Sequence, residues 1–238
     1  MTYKDALYDN YVTGHIAHRK GAANSRGLAI QSKIFDGHFG HLLPIRREKV
    51  ADLGCGPGTL VAWLKNQGCA QVSGVDFSHE QVANAHALGL EEVVQGDIFE
   101  FLATNDDFDL LFARDVIEHF DRQMVFDFLK AAHRALRPGG RLILQVPNAQ
   151  SPYFGRVRYG DFTHELAFTG GSMRQVLNAA GYSSISIHPW RPVAFNMKSW
   201  LRSIAWRLLE PALKLPIVVE SAAREAIVTM NLIAVAEK

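Results

Sequence analysis

Short apolar runs separated by helix-length amphipathic stretches set the pattern of this chain. A first run opens at Val50 and ends on Asp52 and Leu53; further runs follow at Gln71–Val75, Glu91–Gln95, Phe108–Ala113 and Arg141–Val146. The fourth, FDLLFA, is almost continuously apolar, as expected of a central strand covered on both faces. Between the runs the period changes. Thr59–Asn66 puts Leu60, Trp63 and Leu64 on one helical face. A second helix is expected to start near His79, behind Ser78 and Glu80. A third covers Gln123–Leu136, with Val125, Phe126, Leu129, Ala132, His133 and Leu136 on or near one face and Arg137-Pro138-Gly139-Gly140 as its stop. Strand and helix in alternation predict a parallel, doubly wound sheet with right-handed crossovers, whose ligands sit at the carboxyl ends of the strands.

Downstream, Ser151–Gly170 reads as a long loop, Gly171–Ala180 as a helix capped by Gly181, Ser183–His188 as an alternating strand ended by Pro189, and Ile227–Ala236 as the last of seven strands. An insertion, Trp190–Ala226, lies between the last two. In Met197–Leu209, residues Met197, Trp200, Leu201, Ile204 and Leu208 share a face, and Pro211 and Pro216 punctuate the residues after it. Such a helix suits peripheral membrane contact through 197–215, packing on its own domain, or a homodimer interface. Upstream, Gly21–Leu43 has mostly helical intervals and stops at Pro44. Residues 1–48 are therefore expected to form helices that pack beside the sheet or cap the site with Tyr11, His15, His18 or Arg26, and 49–238 the main domain with the insertion 190–226.

Composition narrows the class. The chain has 238 residues, 48% hydrophobic and 21% charged, with a formal net charge of +1. That near-neutral balance predicts no nucleic-acid partner. The beginning, MTYKDALYDNY, lacks an apolar signal core, and no apolar run reaches spanning length. The two cysteines, Cys55 and Cys69, form no disulfide framework, so a cytoplasmic protein is expected, peripheral to a membrane if the insertion binds one. The ten histidines are scattered without a helical ligand pair, so no metal is expected. Asp115, Asp161 and Glu165 are the acids that folding is able to bring together.

Candidate chemistry follows the strand ends. Gly54-Cys55-Gly56-Pro57-Gly58 has glycine at alternate positions, which lets a ligand lie against the main chain between the first strand and its helix. Asp76 stands about twenty residues on, at the spacing where a carboxylate meets a ribose diol. Asp97 ends the third strand, with Ile98 beside it. Arg114-Asp115-Val116-Ile117-Glu118-His119 follows the fourth. Either Asp also reads as a turn or cap residue. Topology brings all four segments to one edge of the sheet. The loop after the fifth strand gathers Tyr153, Phe154, Arg156, Arg158, Tyr159, Asp161, His164 and Glu165, and long loops at such positions tend to carry function.

The set VADLGCGPG, VSGVDFS, QGDIFEF, FDLLFARDVIEHF and LRPGGRLILQVPN, spread over about Lys49 to Asn148, resembles the class I S-adenosylmethionine-dependent methyltransferases. FTGGSMRQVLNAAGYSSISI resembles the end of that fold. The resemblance implies a Rossmann-like seven-stranded sheet, mostly parallel, with an antiparallel last strand inserted between its neighbours. It implies that the loop Gly54, Cys55, Gly56 and Gly58 passes under the methionine part of S-adenosylmethionine and that Asp52 orients that part. Asp76 would hold the ribose and Phe77 border the adenine. Asp97 would meet the adenine amine with Ile98 against the ring, and Arg114 and Asp115 would lie beside the sulfonium. The overall pattern resembles small-molecule O-methyltransferases, including those of ubiquinone-type biosynthesis. The stretch YGDFTHELAFT resembles bacterial methyltransferases acting on surface-glycan sugars. A hydroxyl acceptor calls for a base, and His164, oriented by Asp161, and His119 are the candidates.

Two other functions share parts of the pattern. A nicotinamide-dependent oxidoreductase has the glycine loop and the acid after the second strand, but Thr59 stands where G-x-G-x-x-G needs its third glycine. A non-catalytic S-adenosylmethionine-binding module would keep the whole cofactor set.

Overall fold

The computed structural model describes residue 7 and residues 25–43, 48–222 and 226–238, with the backbone alone at 25 and 26. Tyr11, His15 and His18 lie outside these residues, as does the side chain of Arg26.

Seven strands form one sheet in the order β3-β2-β1-β4-β5-β7-β6. They are β1 (Lys49–Leu53), β2 (Gln71–Asp76), β3 (Val93–Gln95), β4 (Phe108–Arg114), β5 (Leu136–Pro147), β6 (Ser183–Pro189) and β7 (Asn231–Glu237). The first five pair in parallel. β7 runs antiparallel between β5 and β6. The expected doubly wound sheet with an inverted last strand is therefore what this chain forms.

The helices are α1 (Ser25–Phe39), α2 (Thr59–Asn66), α3 (His79–Ala87), α4 (Ile98–Thr104), α5 (Arg122–Ala135), α6 (Phe154–Arg158), α7 (Gly170–Ala179) and α8 (Met197–Ser221). One face of the sheet packs Leu53, Phe108, Leu111 and Leu144 against Leu102 of α4, Phe128 and Leu129 of α5, and Met173 and Leu177 of α7. The other packs Val50, Leu110 and Phe112 against Trp63 and Leu64 of α2, Val82 of α3, and Phe35 and Phe39 of α1. Phe35 and Phe39 are fully buried, each contributing about 1.5–3 kcal/mol, so α1 belongs to a core layer.

Several boundaries differ from the sequence reading. β3 starts at Val93, because the amide of Val93 turns back onto the Leu90 carbonyl (3.2 Å). The Gly-Asp turn after it opens an extra helix, α4, whose first amides are taken by Asp97. The Arg137–Gly140 stop is a bulge within β5: Leu136 pairs with Phe108 and Arg141 with Leu110, and Gly139 and Gly140 exchange backbone hydrogen bonds with Lys238. β7 begins at Asn231, four residues late. The expected loop 151–170 contains the short helix α6. In the insertion, α8 runs unbroken through Pro211 and Pro216. Asn196 and Ser199 form a capping box at its start, and a two-pronged Arg191 fork holds Glu210 at 2.7 Å twice. These anchors support a helix that proline alone would interrupt. α8 turns Ser199 and Glu210 inward, whereas Met197, Trp200, Leu201, Leu208, Leu209, Leu215 and Val219 are exposed. No helix among the described residues is long and apolar enough to cross a membrane.

Candidate active site

The site is built where β1, β2, β4 and β5 end. From β1 the chain turns through Gly54, Gly56 and Gly58, all with positive φ. Gly58 (φ +74°) caps α2, and a Cβ there would lie 2.6 Å from Leu90 Cδ1, so it serves close helix packing. Gly56 (φ +55°) is different: a Cβ there would meet only the Gln81 amide at 3.9 Å. Its bare face is turned to open space, as a cradle for a ligand requires. Cys55 contributes backbone; its Sγ is buried against Gly74, and burial pushes the thiol pKa far up.

Asp76 closes the loop. Its Oδ2 accepts from the Gly56 amide (2.7 Å) and its Oδ1 from the Ser78 amide (2.9 Å). Burial raises its pKa, and those two amides oppose the shift. Ser78 caps α3, accepting from Gln81, so cap and candidate ligand are separate residues. Phe77 is 63% exposed. Asp97 acts as the cap of α4, with Oδ1 accepting from Phe99 (2.7 Å) and Glu100 (3.1 Å); Ile98 beside it packs on the core.

Asp52 is 2% exposed, and its Oδ1 has no hydrogen-bond partner among the described residues. Burial pushes its pKa up to about 7, against the pull of Arg114 and with a further push from Asp76. The Arg114 guanidinium lies over the Phe35 ring at 4.6 Å. An orphaned buried carboxylate beside a glycine cradle and a second strand-end acid fits an aminoacyl ligand bearing a ribose, because an ammonium group is the partner Asp52 lacks.

The next residue faces the other way. Asp115 has φ +53°, a region that Asp tolerates better than most. Its oxygens accept from Gln145 Nε2 (3.1 and 2.9 Å) and from Asn231 Nδ2 (3.4 Å). Gln145 Oε1 in turn accepts from Arg114 Nε (3.3 Å). Beside Asp115 opens a cavity of about 360 Å³, lined among others by His119, Arg156, Asp161, His164, Trp190 and Asn231. Trp190 stacks on His38 of α1 at 3.7 Å, so the core layer of α1 backs the cavity wall. Burial drives the His38 pKa down to about 4.

The two candidate bases meet here, with ring centroids 4.6 Å apart at 75°. The sequence order suggested that the Asp161 carboxylate orients the His164 ring, but the bond between the two residues runs from the His164 amide to the Asp161 carbonyl (3.3 Å). Asp161 Oδ1 accepts from the Thr163 hydroxyl (2.6 Å), and Thr163 Oγ1 meets His119 Nδ1 (2.9 Å). His164 Nδ1 instead meets the Val157 carbonyl (2.9 Å), and its own carbonyl accepts from Arg158. Burial lowers the His164 pKa. The acids Asp115, Asp161 and Glu165 do not close into a ligand cluster. The group that does is Glu118, His119 and His164. Glu118 is fully buried, with neither carboxylate oxygen partnered among the described residues. Burial, then the Asp115 and Asp161 charges, raise its pKa.

Sequence reasoning passed over Glu118, Gln145, Thr163, Trp190 and Asn231. Glu118 stood inside a quoted motif, one helical turn from Asp115, and that spacing was its only signal. Tyr153, Phe154 and Tyr159, gathered in the same loop, are exposed and do not line the cavity.

Comparison with known proteins agrees with this geometry. Residues 51–144 match the methyltransferase domain family. A malonyl-[acyl-carrier protein] O-methyltransferase of Enterobacter lignolyticus is 32% identical over 46% of this chain and 43% of its own length. A ubiquinone biosynthesis O-methyltransferase of Xylella fastidiosa is 28% identical over 63% of this chain and 68% of its own. The alignment thus spans less than half of the first relative and about two thirds of the second. Among solved structures, an S-adenosylmethionine-dependent methyltransferase from Archaeoglobus fulgidus superposes with a TM-score of 0.66 over 89% of this chain and 94% of that one, at 18% identity. Residues 51–144 thus match a methyltransferase domain, and the β3-β2-β1-β4-β5-β7-β6 sheet gives the chain the fold of the S-adenosylmethionine-dependent methyltransferases.

Proposed function

We propose that this protein transfers a methyl group from S-adenosylmethionine to a hydroxyl oxygen of a small molecule or a sugar. One observation carries the reading: the cavity holding His119 and His164 opens beside Asp115, on the same strand-end edge as the glycine loop. The relatives named as O-methyltransferases support oxygen as the acceptor atom.

In this reading the backbone of Gly54, Cys55, Gly56 and Gly58 supports the methionine part of the cofactor. Asp52 pairs with its ammonium group. Asp76 holds the ribose hydroxyls, Phe77 and Ile98 border the adenine, and Asp97 takes its amine through the carboxylate oxygen that is not capping α4. Arg114 and Asp115 flank the sulfonium. The bound cofactor supplies an electrophilic methyl group for in-line displacement. The protein then has two tasks, to align the acceptor oxygen and to accept its proton. His164 suits the second, because its Nδ1 faces a carbonyl and is therefore protonated, which leaves the lone pair of a neutral ring on Nε2. His119 and Asp161, linked through Thr163, shape the wall. Residues 1–48 serve as the cap of the site, and the exposed apolar face over 197–215 offers a peripheral surface to a membrane or a second copy.

Calorimetry with S-adenosylhomocysteine and NADH, followed by labelled-methyl transfer into a cell extract, tests this. Binding of S-adenosylhomocysteine with label entering a hydroxyl-bearing component is the expected result. Tight NADH binding alone supports an oxidoreductase. Cofactor binding with no label in any fraction supports a non-catalytic module.

A further inference from the structure

We propose that Glu118, His119 and His164 form a binding site for one divalent transition-metal cation of the zinc or manganese class, at the wall of the acceptor cavity. One ligand atom from each residue lies within 4.8 Å of the other two. That separation suits a common partner better than mutual hydrogen bonding among all three.

Hydrogen bonds fix which atoms are offered. The Thr163 hydroxyl has one proton, and it goes to Asp161 Oδ1 (2.6 Å). Thr163 Oγ1 must then accept from His119 Nδ1 (2.9 Å). The Val157 carbonyl has no proton, so His164 Nδ1 donates to it (2.9 Å). In neutral rings both lone pairs therefore reside on Nε2. Histidines that ligate metals are held in this way, one nitrogen donating to a carbonyl or a carboxylate-linked group while the other ligates. Here both supports are present before any ligand is considered.

Glu118 is the independent observation. Its side chain is fully buried and both its oxygens lack a partner among the described residues. A buried carboxylate in that state either stays protonated or awaits a cation. A cation is the partner that serves both unpartnered oxygens and the two imidazole nitrogens at once. Two imidazole nitrogens and one carboxylate oxygen are a borderline donor set, suited to zinc, manganese or iron(II) rather than to calcium. Three protein ligands leave coordination positions open. Because His119 and His164 line the cavity, an acceptor carrying a hydroxyl beside a second oxygen would fill them. A cation there would take the His164 Nε2 lone pair, so the base role of His164 belongs to the metal-free protein and the ligand role to the metal-loaded one. The inference rests on the geometry of the trio and not on methyl transfer.

The test uses the full-length protein, stripped with a chelator and dialysed, and the metal alone. Zinc is titrated in competition with a chromophoric chelator, without cofactor or acceptor. We expect one equivalent to bind, with affinity falling at least about 10-fold in His164→Ala and in Glu118→Gln and unchanged in His86→Ala. S-adenosylhomocysteine binding checks that each variant is folded. Should Glu118→Gln fail that check, electron spin echo spectroscopy on copper-loaded wild-type protein gives the answer without a variant, as two coupled imidazole nitrogens. No saturable binding, equal affinity in wild type and His164→Ala, or fewer than two coupled nitrogens overturns the site. Metal binding without methyl transfer leaves the inference standing and removes the functional proposal; methyl transfer without metal binding does the reverse.

Discussion

Asp52 is set against itself in the ligand-free protein, and replacing it should separate folding from binding. Its carboxyl is buried, Oδ1 is unpartnered, and its pKa rises from 3.8 to about 7. The folded state therefore prefers the protonated acid. That preference stabilises the protein fully below the unfolded pKa and is lost as pH rises through the folded one. A shift of about 3 units at ~1.4 kcal/mol each is worth about 4 kcal/mol. Asp52→Asn keeps the shape and removes the charge, so the ligand-free variant should gain stability over wild type as pH rises from about 4 to 8, toward that limit. Binding should go the other way. If the ionised carboxylate pairs with the cofactor ammonium, affinity follows the ionised fraction, about 10% at pH 6 and about 90% at pH 8. Wild type should therefore bind S-adenosylhomocysteine roughly 10-fold more tightly at pH 8 than at pH 6, whereas Asp52→Asn should bind weakly and with little pH dependence. Urea unfolding of the ligand-free proteins and calorimetry at both pH values provide the readouts. A variant no more stable than wild type at pH 8, binding as tightly as wild type, would refute both halves of the reasoning.

Three further outcomes are expected. Gly56→Val should abolish measurable S-adenosylhomocysteine binding by calorimetry, since a branched residue at φ +55° is strained by about 1–3 kcal/mol and its side chain enters the open face of the cradle. His164→Ala should lower kcat by about 10²–10⁴ if the ring takes the acceptor's proton, with cofactor affinity nearly intact; loss of cofactor affinity instead would refute its assignment to the acceptor side. Gln145→Leu strips hydrogen bonds from Asp115 and Arg114 at a site 3% exposed, and should destabilise the protein by about 1–3 kcal/mol in urea unfolding.

Most of the sheet was legible because its signals are local. FDLLFA has to be a central strand, and a glycine run after an apolar strand has to turn. The cofactor edge followed from topology, since parallel strands bring their carboxyl ends together whatever their side chains do. The misplaced boundaries depend on distant partners. Arg137–Gly140 looked like a stop because the pairing that absorbs it comes from Phe108 and from Lys238, about a hundred residues later. Pro211 and Pro216 looked like breaks because the fork from Arg191 to Glu210 cannot be read from helix propensity. The surroundings of His119 and His164 were the least legible. Asp161 precedes His164 by three residues, so sequence order paired them, yet a turn hands the carboxylate to Thr163 and through it to His119, which is 44 residues away.

The Arg114–His119 segment explains why the two sides belong to one site. Arg114 leaves β4 toward the glycine-loop side, where its guanidinium meets the Phe35 ring and the field of Asp52. The left-handed turn at Asp115 then reverses the direction, so its carboxylate faces β5 and β7 and borders the cavity lined by His119 and His164. Val116 returns to the glycine loop: a Cβ on Gly54 would lie 2.5 Å from its Cγ2, so that glycine exists to admit this valine. Glu118 and His119 complete the turn beneath His164. Within six consecutive residues, Arg114 and Val116 thus face the glycine-loop side, and Asp115 and His119 line the cavity. A straight strand end would place successive side chains on opposite faces of the sheet and could serve only one of these surfaces closely. The positive φ at Asp115 is what lets one short segment border both surfaces, and under the proposed in-line transfer the distance between them would set the rate.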